Sequence, residues 1–118
     1  MGVLILTETE LRSVVNIDRP SIEAVEKAFA WLFEGRVSMP PIMHIQVSEH
    51  KGDVDIKSAY VRGLDRFAVK IGAGFFNNAA LGLPSSPAMM VVISARTGMA
   101  EAVLLDNAYL TDVRTAAA

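Results

Sequence analysis

The chain has no cysteine, two histidines and a single tryptophan among its 118 residues. Without cysteine there is no disulfide framework, thiolate nucleophile or cysteine-ligated zinc, and the composition fits a reducing compartment, so a cytoplasmic location is expected. Two histidines make a metal centre only where carboxylates gather around them, and the sequence pattern gathers none, so no metal is expected. An excess of one charge sign is lacking too. Eleven basic against thirteen acidic side chains leave a net charge of −2, with no lysine/arginine cluster, which argues against a nucleic-acid partner. The longest apolar run, Ala88 to Ile93, is far short of a membrane span. Met1-Gly2-Val3-Leu4-Ile5-Leu6 has neither the basic start of a secretory signal nor the hydroxyl residue that myristoylation uses, so no membrane association is expected. What is present, 52% hydrophobic and 20% charged residues, is the composition of one globular domain over residues 1–118.

Val3 to Leu6 reads as a strand, and Thr7-Glu8-Thr9-Glu10 as a capping box opening a helix. Asp18-Arg19-Pro20-Ser21 announces a second helix, with Ile22, Val25, Phe29, Leu32 and Phe33 on one face up to Gly35. Met39-Pro40-Pro41 must turn the chain into an extended segment, Ile42 to Val47. Asp53 to Val61 alternates with period two, placing Val54, Ile56, Ser58 and Tyr60 on the expected core face and Asp55, Lys57, Ala59 and Val61 on the other. After a turn at Gly63-Leu64-Asp65 the pattern repeats, with Phe67, Val69 and Ile71 inward and Lys70 outward. A glycine-rich bend, Gly72 to Ser86, leads to a hairpin of Ala88–Ser94 and Ala100–Leu105, its first strand apolar as a central strand is. The last segment, Leu110 to Ala118, reads as a helix opened by a threonine cap just where the sequence stops, so truncation is expected. The fold class that follows is α+β, a mixed β-sheet with the N-terminal helices packed on one face.

Few residues in this pattern carry chemistry. Gly72-Ala73-Gly74-Phe75-Phe76-Asn77 begins like a dinucleotide fingerprint, but asparagine replaces the third glycine and no helix with a distal acidic residue follows. Lys57 and Lys70 lie mid-strand, where an ammonium either reaches solvent or projects into a cleft. In a cleft, two close cations hold a carboxylate, and a lysine with a lowered pKa passes a proton. Asp55 is placed to neutralise Lys57. Arg114, read in the first turn of the last helix, stands beside free amide donors that favour an anion, or else pairs with Asp112 or Asp106. His44 is a minor candidate and His50 a solvated turn residue. Ser85-Ser86 lacks a nucleophile elbow and offers at most a hydroxyl to a ligand.

Val69-Lys70-Ile71, the loop ending Gly82-Leu83-Pro84, Thr97-Gly98 and above all Leu110-Thr111-Asp112-Val113-Arg114-Thr115-Ala116-Ala117-Ala118 resemble the ornithine cyclodeaminase/μ-crystallin family. The resemblance covers essentially the whole chain. Asp55 to Val61 with Gly74-Phe75-Phe76-Asn77 is most similar to the ectoine-utilisation branch. It implies the substrate-binding and dimerisation part of a longer NAD(P)-dependent imine reductase or amino-acid cyclodeaminase, an oxidoreductase or lyase. NAD or NADP would be held mainly by a Rossmann domain expected after residue 118, and a homodimer is expected. Carried over by residue, it makes Lys70 and Arg114 ligands of the substrate carboxylate and Lys70 also the proton-transfer residue. Lys57 joins the substrate side, while Ser85 and Thr115 stand near the cofactor. Ile42 departs from the family pattern, since ornithine-consuming relatives carry arginine after the proline pair. The competing reading is a small-ligand-binding or dimerisation protein of the μ-crystallin type without turnover.

Overall fold

The computed structural model describes residues 2–118. Its elements run β1 (Leu4–Thr7), α1 (Glu8–Val14), α2 (Arg19–Phe33), β2 (Val37–Ser38), β3 (Met43–Val47), β4 (Gly52–Val61), β5 (Arg66–Phe75), β6 (Ala88–Ser94), β7 (Ala100–Leu105) and α3 (Tyr109–Ala117). Short 3-10 stretches occupy Ser48–His50 and Phe76–Leu81. The strands form one mixed sheet in the order β1-β7-β6-β5-β4-β2, with β3 also paired to β4. β1 runs parallel to β7, and the other pairings are antiparallel. The α+β class read from the sequence is the one observed. No helix among the described residues is long and apolar enough to cross a membrane.

The helix starts follow local chemistry. The Glu10 amide donates to the Thr7 hydroxyl at 3.3 Å and the Thr7 amide to the Glu10 carboxylate at 3.2 Å, completing the capping box of α1. Asp18 caps α2 by accepting from the Ser21 amide at 3.1 Å, with Pro20 in the first turn. β6 runs between β5 and β7, which is why it is apolar on both faces. β4 and β5 close on each other at Gly52, where a Cβ would lie 2.2 Å from the Phe75 ring. A side chain at that position would displace the ring.

Three expectations are corrected. The face carrying Val54, Ile56, Tyr60, Phe67, Val69 and Ile71, expected to be the core, stays half-exposed. The helices pack instead over the face of Ala59, Val61 and Lys70, as the residues they share cavities with show. Both faces of the sheet are apolar enough that alternation alone does not decide which one the helices choose. The apolar stripe of α2 is left open as well: Ile22, Phe29 and Leu32 are exposed, and Phe33 is 94% exposed. α2 stands off from the sheet and leaves a cavity of about 430 Å³ lined by Val25, Phe29, Leu32, Val61 and Arg114 among others.

The third correction concerns α3. The helix begins at Tyr109, and its cap, Ala108, sits at φ 67° without a side-chain bond. Thr111 is therefore no cap. Asp106 takes that part from outside the helix, its Oδ2 accepting from the Leu110 amide at 2.9 Å. Arg114 consequently lies in the second turn, beyond the amides left free at a helix start, so the helix dipole does not explain its place. The buried hydrophobic side chains among the described residues are Leu11 of α1 and Val113 and Ala117 of α3. Tyr109 ties these two helices together: its hydroxyl donates to the Val15 carbonyl at 2.5 Å, and the Arg12 guanidinium lies 4.2 Å from its ring centroid.

Candidate functional site

Lys57 and Lys70 are directly opposed across the β4–β5 ladder, with Asp55 opposite Gly72 and Asp53 opposite Gly74. Residues opposed in this way point to one side of a sheet, their Cβ atoms about 4.5–5.5 Å apart. Two like charges at that separation repel, and a fold retains them only where something else gains. The side they share is the one that α3 covers. Between α3 and the sheet lies a cleft of about 230 Å³ lined by Asp53, Asp55, Lys57, Lys70, Gly72, Gly74, Ser86, Thr111 and Asp112 among others. The glycines keep its floor low: a Cβ on Gly72 would lie 3.6 Å from Lys70 Cε, and one on Gly74 would lie 3.1 Å from Asp53 Oδ1.

Lys70 Nζ donates to Thr111 Oγ1 at 2.5 Å, joining the middle of β5 to the first turn of α3. Burial holds the Lys70 ammonium below its ordinary pKa, and the neighbouring Arg114 and Lys57 cations add to the effect against the opposing carboxylates Asp106 and Asp112. Lys57, Lys70 and Arg114 make no ion pair among the described residues. Lys57 and Lys70 thus share the cleft with Asp53, Asp55 and Asp112 without closing an ion pair with any of them, which leaves both ammonium groups free to meet a small anion.

At the rim, His44 of β3 faces Asp55 of β4. Its Nδ1 lies 2.5 Å from Asp55 Oδ1 and its Nε2 lies 3.1 Å from Gln46 Oε1. The hydrogen bond to Asp55, and then that to Gln46, hold the imidazole above its ordinary pKa. Asp55 is therefore paired with His44 and not with Lys57, the neutralising partner expected from sequence.

The candidates do not all line one wall. Lys57 and Lys70 line the cleft. Arg114 borders the larger apolar cavity beside α2 and acts on Lys70 through its charge. Ser85 is exposed, with its carbonyl accepting from the Phe75 amide at 2.9 Å, and the serine lining the cleft is Ser86. The Thr115 hydroxyl is engaged within α3, donating to the Thr111 carbonyl at 2.8 Å. Sequence reasoning missed Thr111 as the partner of Lys70, having read it as a cap. It also missed Asp106 as anything more than a partner for Arg114. A fully buried aspartate three residues before a helix has no periodic signal.

Comparison with known proteins identifies the family and the fold. The family model of the ornithine cyclodeaminase/mu-crystallin family matches residues 2–118. A Rhizobium meliloti protein provisionally named a dehydrogenase is 57% identical over 114 residues, which is 97% of this chain and 35% of that protein. Among solved structures, an archaeal alanine dehydrogenase dimer with bound NAD superposes with a TM-score of 0.89 at 32% identity, over 99% of this chain and 35% of that one. The Thermococcus litoralis Δ1-pyrroline-2-carboxylate reductase, in complex with NADH and L-proline, gives the same TM-score at 28% identity, over 98% of this chain and 35% of that one. The chain spans about a third of the length of each of these relatives. With its whole described length matched by the family model, the chain belongs to the ornithine cyclodeaminase/mu-crystallin family.

Proposed function

We propose that the chain is the substrate-binding portion of a longer NAD- or NADP-dependent enzyme that reduces or forms an imine of a small amino acid, as an imine reductase or amino-acid cyclodeaminase does. One observation carries the reading: a partly desolvated Lys70 without an ion pair, held by Thr111, stands opposite Lys57 over a glycine floor and within reach of the charge of Arg114. Lys70 and Arg114 hold the substrate carboxylate, with Lys57 as an auxiliary cation, so that the α-carbon is fixed relative to the sheet. The nicotinamide, when bound, supplies the hydride chemistry. Lys70, its ammonium made more acidic by burial and like charge, gives the proton that the imine nitrogen takes up during reduction.

The residues present fit the substrate end of such a site and not the dinucleotide's phosphates. Gly72-Ala73-Gly74 lies inside β5 rather than at a turn from strand into helix. A separate nucleotide-binding domain after residue 118 is therefore part of the proposal, with Ser85 and Thr115 on the cofactor side of the cleft. A homodimer and a cytoplasmic location complete it, and the similarity to the ectoine-utilisation branch makes amino acids of that kind the first substrates to try. The test is consumption of NADH or NADPH by the full-length protein with a panel of 2-oxo acids and ammonia. Consumption with at least one acid is expected. A cyclodeaminase reoxidises the cofactor it reduces and releases ammonia instead, so if neither cofactor is consumed and no ammonia is released from diamino acids with NAD or NADP, while small carboxylates still bind, the protein is a ligand binder and the enzymatic reading is lost.

A further inference from the structure

β4 sets two aspartates against two glycines of β5, Asp53 opposite Gly74 and Asp55 opposite Gly72. Both pairs share the same two strands and the same face of the sheet, so each serves as a control for the other. They do not behave alike. Asp53 leans over its glycine, its Oδ1 lying 3.1 Å from where a Cβ on Gly74 would be. No Asp55 atom comes within 4 Å of a Cβ on Gly72, where the one near side-chain atom is Lys70 Cε at 3.6 Å. The difference comes from β3, on the other side of β4, which presents Gln46 to Asp53 and His44 to Asp55. Gln46 turns toward the Gly52 carbonyl and His44 and makes no bond to Asp53 among the described residues. His44 Nδ1 donates to Asp55 Oδ1 at 2.5 Å and draws that carboxylate outward. An aspartate side chain is short and leans toward one cross-strand neighbour or the other. Bound by His44, Asp55 vacates the floor above Gly72, the space against the Lys70 arm.

We propose that His44 is a positioning residue of the cleft: it holds Asp55 off the floor above Gly72, so that the substrate's carboxylate, and not the protein's own, meets Lys70 and Lys57. This deepens the reading of the cleft as the substrate site and rests on it. Asp55 is the carboxylate best placed to compete. It lines the same cleft as both lysines, and it stands two residues from Lys57 on one face of β4, about 6–7 Å along the strand and within the span of a lysine side chain. Folded over Gly72 as Asp53 is over Gly74, it would lie against Lys70 Cε. There it would engage ammonium groups that no ion pair now holds. His44 itself is half-exposed and is not among the residues lining the cleft, so it acts on the site through Asp55.

Two readouts on the full-length protein test it. The crystal structure of His44→Ala is expected to show Asp55 turned over Gly72, with its carboxylate in ion-pair range of Lys57 or Lys70, about 4 Å or less from N to O. Binding of pyruvate, a small carboxylate probe, is then measured by calorimetry. His44→Ala is expected to bind it about tenfold more weakly than the wild type, the scale of one charge-assisted contact. His44→Gln, whose amide also donates to Asp55, is expected to stay near the wild type. The double variant His44→Ala with Asp55→Ala is expected to regain the affinity, because without the competitor nothing needs to be held back. A merely structural His44 gives no such recovery. Asp55 still clear of Gly72 in His44→Ala, or an affinity not regained in the double variant, overturns the proposal. If the wild type binds no pyruvate, the carboxylate-site reading fails, and the position of Asp55 in the His44→Ala crystal still shows whether His44 holds it, so the two failures are told apart.

Discussion

Replacing Thr111 with valine removes the hydroxyl that accepts from Lys70 Nζ at 2.5 Å and changes little else. Valine is β-branched like threonine, close to it in helix propensity, and fills nearly the same volume, so neither cavity nor helix loss follows. The Thr115 bond goes to the backbone carbonyl of Thr111 and survives the exchange. A hydrogen bond to a charged group contributes about 1.5–3 kcal/mol. This one is only part-buried, so water replaces some of what is lost and the expected destabilisation is about 1–2 kcal/mol. Urea unfolding should show a lower midpoint at unchanged slope, which marks a change in stability without a change in compactness. The Lys70 titration should move further down, because its charged form loses an acceptor while its burial stays the same. A change within the about 0.5 kcal/mol typical of surface substitutions, together with an unmoved titration, would show that β5 and α3 are not linked through this pair.

Other expectations concern charge and pH. Lys70→Met in the full-length protein should lower kcat by about 10²–10⁴-fold, the worth of a positioned proton donor, and should raise KM as well; a rise in KM alone would make the lysine a ligand only. Because the folded pKa of Lys70 is lowered, kcat/KM should decline with rising pH before the ordinary lysine value of about 10.4 is reached, and a decline that begins only at that value would contradict the desolvated site. His44 has a raised folded pKa, so its contribution to stability is fully present below the ordinary value of about 6.5 and is lost as pH rises through the higher folded value. Urea midpoints measured across that window should fall for the wild type and stay level for His44→Gln.

Much of the fold could be read from sequence where a residue type answers a local need. Thr7 with Glu10 and Asp18 with Ser21 announce helices because free amides have few other acceptors nearby. The alternation from Asp53 to Val61 put Lys57 on one side of the sheet and Val54 on the other, as observed. What alternation does not contain is which side the helices cover, since that depends on the crossover from β1 into α1 and on the link from β7 into α3 rather than on either strand. The start of α3 escaped for a related reason. Its cap is Ala108, which has nothing to offer, and the acceptor is Asp106, reaching over two residues of positive φ that no side chain advertises. With the start displaced, Thr111 changed from a cap into the partner of Lys70, and Arg114 moved out of the first turn. The candidate residues themselves were legible because a lysine in mid-strand needs a reason. Their partners were not, since they come from an element distant in sequence.

The central claim is that Lys70 and Arg114 together hold a small carboxylate, and the most direct measurement is the KM of the full-length protein for its best 2-oxo acid, wild type against Arg114→Lys. A guanidinium grips a carboxylate through two parallel bonds and an ammonium through a point charge. The arrangement therefore predicts a KM raised about tenfold or more, the worth of at least one charge-assisted bond. A KM unchanged in the lysine variant would contradict it.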